Sequence, residues 1–509
     1  MKSPHLRSAL SGGVAAALGL GVSELIAGLV SSVPSLVESL GNWVIDNVPT
    51  AVKEWAITVF GTNDKLVLLV GITVVTVLIG AVVGVAARSR FGLAVAVFVG
   101  FGLVAGLTAG ADPRVSLTAA MFPSAAAAIA GLATLRMLYT VGGPPPGPDP
   151  DRSKRQFLLG VGAVVAVAAI AGGMGRVLIE RAKRAVAGRE EVVLPTAADA
   201  LSPVSEAANF EVVGLEEILV PNQDFYRIDT ALSVPRVDLQ EWSLSITGMV
   251  DRPYSIDFSD LLDMRMVERD ITLSCVSNQV GGGLVGNARW LGVPLTEILD
   301  RAGVQPGAGQ IVGRSVDDFT VGFPVDAAYD GREALVAVGM NGEPLPFEHG
   351  FPARLVVAGL YGYVSATKWL SAIDLTTWDG FDAYWVPRGW AKEAPIKTQS
   401  RIDTPGHSTQ IAPGRHVVAG VAWAPTRGIS MVEVQLGEGQ PWVEAELSEP
   451  LSDNAWVQWR VDWDVSRDGR HLLRCRATDG DGQLQTSEVL PPAPDGATGW
   501  HTRPVFVTT

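Results

Sequence analysis

The sequence predicts three parts in series: a helical transmembrane domain over residues 1–185, an α+β domain over 205–404, and an immunoglobulin-like β-sandwich over 405–509. Three observations lead to this. Long apolar runs rich in Ala, Val, Gly and Leu are confined to the part before Glu190. From about Phe210, short β-rich runs alternate with turn signals and short capped helices. After Pro405 the pattern becomes all-β, with short strands at even spacing, which suits a small sandwich.

A helix needs about 20 mostly apolar residues to cross a bilayer. Leu66–Ala87, Phe91–Ala109, Leu117–Tyr139 and Phe157–Ile179 meet that requirement, and the Gly- and Ser-rich Ala9–Val30 is taken as the first of five spans. Between Val33 and Phe60, apolar and charged positions alternate ("LVESLGNWVIDNVPTAVKEWAITVF"), as in a helix lying on the membrane surface. Lys2 and Arg7 precede the first span, Arg88 and Arg90 follow the second, and Arg152, Lys154 and Arg155 precede the fifth. With five spans these clusters share one side, which the positive-inside rule makes the cytoplasm, so all that follows is extracytoplasmic. Arg181, Lys183, Arg184 and Arg189 run against that rule. The stretch "SKRQFLL" (Ser153–Leu159) resembles a twin-arginine export signal with Lys154 in place of the first arginine, which fits export of a folded, cofactor-loaded domain. Before it, "GGPPPGPDPD" reads as a stiff polar linker. Of six histidines only His5 precedes residue 349, so the spans cannot supply paired imidazoles to a haem, and the domain reads as an anchor in the cell membrane.

In the soluble half, "WSLSITGMVDRPYSI" alternates like a strand and turns at Asp251–Pro253. "SIDFSDLLDM" and "PLTEILDRAG" read as short helices capped by Ser255 or Asp257 and by Thr296. The net charge of −14 argues against nucleic acid as a partner. There are only two cysteines, far apart in sequence, which does not make a disulfide framework. Cys475 lies in "RHLLRCRATDG" and reads as a buried apolar group of the sandwich.

Cys275 is harder to read, because "ITLSCVSNQVGGGLVGNARW" (Ile271–Trp290) sets it beside an asparagine, three glycines and an arginine. Three chemistries compete: a core thiol at a strand end, a nucleophile with His349 as its base, or a metal ligand. A structural zinc site is excluded, since no second cysteine or spaced histidines accompany it. A lone thiolate can still hold a metal whose other ligands come from an organic cofactor.

Four blocks in order resemble the sulfite oxidase family of molybdopterin enzymes: "NQDFYRIDTALSVPRVD" (Asn222–Asp238), "DITLSCVSNQVGG…GNARWLGVPLTEIL", "GMNGEPLPFEHGFPARLVVAGLYGYVSATKWL" (Gly339–Leu370) and "APIKTQSRIDTP" (Ala394–Pro405). The likeness covers about residues 205–509. It implies a sulfite-oxidase-type catalytic domain followed by an often dimer-forming sandwich. It also implies a molybdenum–molybdopterin cofactor, with Cys275 as the metal ligand and the pterin supplying two further sulfurs. Tyr226 and Arg227 would touch the pterin. His349 and Arg354 would hold its phosphate end, with Ser365, Ala366, Thr367 and Lys368 forming a loop around it. Asn278 and Arg289 either line the pocket or cap the loop, and Gly281–Gly283 either serves the site or is a plain turn.

Two departures bear on the substrate. Sulfite oxidases carry an arginine after the ligating cysteine, where this chain has Val276, Ser277, Asn278 and Gln279. They also keep an active-site tyrosine, for which Val321 of "DDFTVGFP" is the nearest equivalent. Desolvating a divalent anion without cations is costly, and Arg388, with Lys392, could compensate from another loop. The expected function is therefore two-electron oxygen-atom transfer on a small molecule outside the cytoplasmic membrane. Its direction is either sulfite-like oxidation or sulfoxide-type reduction. No haem or iron–sulfur cysteine motif is present, so electrons would pass to or from a separate cytochrome or quinone. A non-catalytic extracellular binding protein with a degenerate cofactor domain is the rival reading.

Overall fold

The fold is given by a computed structural model, which describes residues 4–30, 33–49, 52, 55–56, 59–60, 63–110, 115–141, 150–186 and 188–509. By its internal contacts the chain divides into two units. One is Met1–Val186 with Ala231–Ser233, and the other is Ala187–Thr230 with Val234–Thr509.

The first unit is helical: α1 (Pro4–Leu29), α2 (Leu36–Asn47), α3 (Asp64–Ala87), α4 (Phe91–Ala109), α5 (Leu117–Val141) and α6 (Pro150–Val186). All but α2 are long and apolar enough to cross a membrane, which matches the expected five spans in number and position. The long helix α1 is central and packs on α3, α5 and α6. Small residues make this possible, since they let the helix backbones approach closely. A Cβ on Gly12 would lie 2.0 Å from the Gly80 oxygen, and one on Gly28 would lie 2.5 Å from that of Gly175. The short helix α2 is capped by Ser35, whose hydroxyl accepts from Glu38 N (3.2 Å). Glu24 of α1 is buried, but not alone. It pairs with Arg176 of α6 (2.9 Å) and accepts from the Ser35 hydroxyl (2.8 Å). The remainder of the expected surface helix is only partly within the described residues. The linker residues 142–149 and the side chain of Lys154 lie outside them.

Two sheets build the front of the second unit. One runs in the order Val267–Ser274, Val285–Pro294, Ala334–Met340 and Glu343–Pro344, with Arg354–Val357 also paired to Ala334–Met340. The other runs Tyr254–Asp257, Ser243–Gly248, Leu370–Thr376, Gln310–Ser315 and Thr320–Pro324. Both feed one core that includes Leu244, Ile271, Trp290, Phe323 and Leu355. Of the two short helices, Phe258–Leu262 is capped by Asp257 in a reciprocal pair with Asp260, as its sequence suggests. Leu295–Ala302 is different: Pro294 stands at the cap position and Thr296 lies inside the helix, so Thr296 caps nothing.

The C-terminal region holds two further sheets over a shared core that contains Ile402, Val418, Trp459, Val434, Leu473 and Cys475. All five expected strands are present. Strand Gln399–Thr404 pairs with Gly414–Trp423, so this β region begins before the expected boundary at 405. Cys475 is fully buried and unbridged, and its neighbours Arg474 and Arg476 are half-buried, in keeping with its alternation along the strand.

Candidate active site

Strand Val267–Ser274 ends one residue before Cys275, and the chain then closes on itself. Cys275 N donates to Leu284 O (2.9 Å) and Asn278 N to Cys275 O (3.0 Å). Asn278 is the cap of this loop, since its Oδ1 accepts from Leu284 N (2.9 Å). Arg289 points elsewhere: its Nε and Nη2 bind both oxygens of Asp270 (2.9 and 2.8 Å). Gly281 is more than a flexible turn. It has φ +77°, and a Cβ there would meet the His501 ring at 2.2 Å. Burial pushes the Cys275 thiol above its ordinary pKa, while hydrogen bonding from Ser277 and the charge of Lys368 oppose that shift.

Of the residues expected around a cofactor, Arg227 and His349 line a cavity of about 390 Å³, and Arg354 lies beside His349; Cys275, Tyr226, Ser365, Thr367 and Lys368 are not part of its lining. Asn222, Phe225, Arg227, Phe347 and His349 line the cavity. Arg354 opens strand Arg354–Val357, fully covered, with its guanidinium over Trp290 (5.1 Å) and Nη1 donating to His349 O (3.1 Å). Desolvation takes Arg354 down to about 10. Lys368 donates to Glu348 O (2.9 Å), and burial lowers it to about 8. Asp229 is a feature the sequence did not single out: its carboxylate pairs with both Arg227 (2.9 Å) and Lys368 (3.3 Å). Among the described residues no carboxylate pairs with Arg354. Cations therefore outnumber the anions that could neutralise them, which calls for an anionic ligand.

His349 and Ser365 are each committed to backbone oxygens. His349 sits 3.0 Å through Nε2 from the carbonyl oxygen of Asn222, so Nε2 must carry the proton. Burial, first, and the neighbouring Lys368 and Arg354 charges hold the ring neutral by lowering its pKa to about 3. Its buried Nδ1 is then a bare acceptor with no partner. With Nε2 committed to Asn222 O, Nδ1 is the ring atom left to meet a ligand. Ser365 donates to Leu360 O (3.2 Å) and Tyr361 O (3.1 Å), so its hydroxyl braces the turn. Thr367 Oγ1, by contrast, is buried and unpartnered.

Tyr226 and Tyr361 are the phenols whose charge couples to the thiol. Desolvation raises both, Tyr361 to about 12, and each feels Cys275 as a further raising influence. Tyr361 belongs to the Gly339–Leu370 block, where a tyrosine in a turn carries no local signal of its role. Val321 is a core residue of strand Thr320–Pro324. Arg388 is held over the Tyr384 ring (3.7 Å) and donates to Tyr384 O (2.5 Å), while Lys392 pairs with Asp382 (2.9 Å).

A lone thiol, two orphaned buried polar atoms (His349 Nδ1 and Thr367 Oγ1) and an excess of cations fit a metal-bearing, anionic organic cofactor. Among the described residues no group of three or more His, Cys, Asp or Glu is placed to hold a metal, so further ligands would have to come from that cofactor.

Residues 231–385 match the family described as oxidoreductase molybdopterin binding domain. The chain is 27% identical over 323 residues to mitochondrial sulfite oxidase of Rattus norvegicus, a match covering 54% of this chain and 59% of the relative's length. It is 33% identical over 153 residues to the uncharacterized oxidoreductase YuiH of Bacillus subtilis (strain 168), covering 30% of this chain and 74% of that one. The sulfane dehydrogenase SoxCD of Paracoccus pantotrophus shares the fold, with a TM-score of 0.51, 24% identity, and coverage of 62% of this chain and 88% of that one. Sequence kinship and a site suited to this cofactor agree: the chain belongs to the sulfite oxidase family of molybdopterin-dependent oxidoreductases.

Proposed function

We propose that this chain is a membrane-anchored molybdenum enzyme that moves an oxygen atom to or from a small molecule on the extracytoplasmic side of the cell membrane. The observation that carries the reading is the buried thiol of Cys275 at the end of strand Val267–Ser274, within reach of the charges of Tyr226, Tyr361 and Lys368. When bound, the cofactor supplies two-electron oxygen-atom-transfer chemistry at molybdenum. The protein's part is to hold it. Cys275 ligates the metal, the neutral His349 accepts from the pterin, and Arg227, Arg354, Lys368 and Thr367 receive its polar and phosphate groups. Ser365 shapes the loop that presents Thr367 and Lys368. The phenols of Tyr226 and Tyr361 stay protonated over the physiological range, and so are hydrogen-bond donors toward a substrate oxygen.

Charge decides the substrate class. Lys368 is the cation whose field reaches the thiol, and Asp229 already compensates it. A neutral oxide such as a sulfoxide therefore suits the site better than a sulfite-like dianion, which would have to draw Arg388 away from Tyr384. Reducing a sulfoxide consumes two electrons and two protons and releases a thioether and water. The electrons would come from a separate carrier, a cytochrome or membrane quinone. The basic flanks of the apolar helices support the extracytoplasmic placement, and the "SKRQFLL" stretch supports export after cofactor loading. The two-sheet C-terminal region is proposed as an immunoglobulin-like module, suited to homodimer formation.

The test is purification of the full chain from a host that makes the cofactor, followed by metal and pterin analysis and turnover assays. One molybdenum per chain, with dye-driven reduction of sulfoxides faster than oxidation of sulfite, is expected. Faster sulfite oxidation, abolished in Arg388→Gln, would reverse the substrate assignment. A chain with neither metal nor pterin would overturn the enzyme reading.

A further inference from the structure

Arg189 stands just beyond α6, ahead of the blocks that carry the family likeness. It begins a single 3₁₀ turn (Arg189–Glu191), entered through Gly188 in the left-handed region (φ +47°). Its guanidinium is fixed on strand Glu343–Pro344: Nε donates to Leu345 O (2.9 Å), Nη2 donates to Pro344 O (2.7 Å), and Nη2 pairs with the exposed Glu343 (3.3 Å). Among the described residues no bond of Nη1 is found. The same side chain lines the cavity of Asn222, Arg227, Phe347, Glu348 and His349.

We propose that Arg189 is a binding residue for the anionic end of the molybdopterin, so that the turn Arg189–Glu191 forms part of the wall of the cofactor cavity. This rests on the cofactor assignment above. The argument is one of geometry and charge. Two backbone carbonyls hold the guanidinium flat before any ligand arrives, so little freedom remains to be lost on binding. Its Nη1, held in a fixed plane by the bonds of Nε and Nη2, offers two N–H donors to a phosphate, which a lysine would meet only as a point charge. Arg189, Arg227, Arg354 and Lys368 face the cavity or its buried wall, against Asp229 and Glu348. A latch alone would need only the contacts to Glu343–Leu345 and would leave Nη1 without use.

The test compares full-length wild type with Arg189→Gln, Arg189→Lys and Glu343→Gln, each made in a cofactor-competent host. Pterin release is followed by fluorescence after oxidation, metal content by elemental analysis, and unfolding temperature with and without cofactor. Losing a charge-assisted phosphate contact should speed release roughly tenfold to a hundredfold in Arg189→Gln. The gap in unfolding temperature between loaded and empty protein should shrink, Arg189→Lys should fall between, and Glu343→Gln should match wild type. Wild-type release from Arg189→Gln overturns the proposal. So does an equal fall in the loaded and empty unfolding temperatures, which would mark Arg189 as a latch only. If Arg189→Gln fails to fold, Arg189→Lys decides: release faster than wild type supports binding, and unchanged release refutes it. Wild-type protein without pterin would instead sink the cofactor assignment itself.

Discussion

Arg401, in the first strand of the C-terminal β region, donates through Nη1 to the backbone oxygen of Gly282 (3.0 Å), inside the loop that carries Cys275. The same guanidinium binds Asp403 (2.6 Å) and Glu216 (3.3 Å) and is 5% exposed. Gly281, next to the contact, packs on His501 of the last strand. The β region thus fixes the cysteine loop directly. Replacing Arg401 with Met leaves two carboxylates without their cation, and removing one partner of a buried pair costs about 3–5 kcal/mol. Denaturant unfolding should show that loss, and Cys275 in cofactor-free protein should react faster with iodoacetamide. Unchanged alkylation would mean that Arg401 does not restrain the loop.

Cys275→Ser should keep the fold, because the site is buried and the change nearly isosteric. Loss of the proposed ligand should lower turnover by more than the roughly 10–100-fold typical of changes to residues that only support a metal ligand. Turnover and circular dichroism measured on the same preparation check both halves. Full activity would remove Cys275 from the metal.

Acid should destabilise the second unit in a defined window. His349 and His501 are both lowered to about 3, desolvation being the larger cause in each. Between about pH 6.5 and 3 the unfolded chain binds protons that the folded chain refuses, so stability falls as pH falls through that range and is fully present above it. Each histidine contributes a slope of up to about 1.4 kcal/mol per pH unit. Denaturant midpoints between pH 7 and 4 should show this, with a shallower slope in His501→Phe. An unaltered slope in that variant would mean His501 titrates normally.

In the helical unit the contact of Gly12 with Gly80 and Gly84 should tolerate no side chain. Gly12→Leu inserts a side chain where a Cβ alone already clashes with backbone. Overpacking of this kind costs about 1–3 kcal/mol. A lower unfolding temperature in detergent is expected, and no change would show that the helices can separate freely.

Local pattern determined a large part of this protein. Apolar run lengths located the five long helices, strand alternation located the β segments, and four ordered blocks pointed to the family and to Cys275. Each of these signals is carried by residues close together in the chain. Tertiary structure decided what each polar atom does. It made His349 an acceptor by setting Nε2 against Asn222 O, turned Ser365 inward to brace a turn, gave Lys368 and Arg227 a shared partner in Asp229, and brought Arg401 to Gly282 across 119 residues. The physical reason is range: helix and strand preferences are settled within a few residues, whereas the partner a buried polar group finds depends on which distant segment the fold lays beside it.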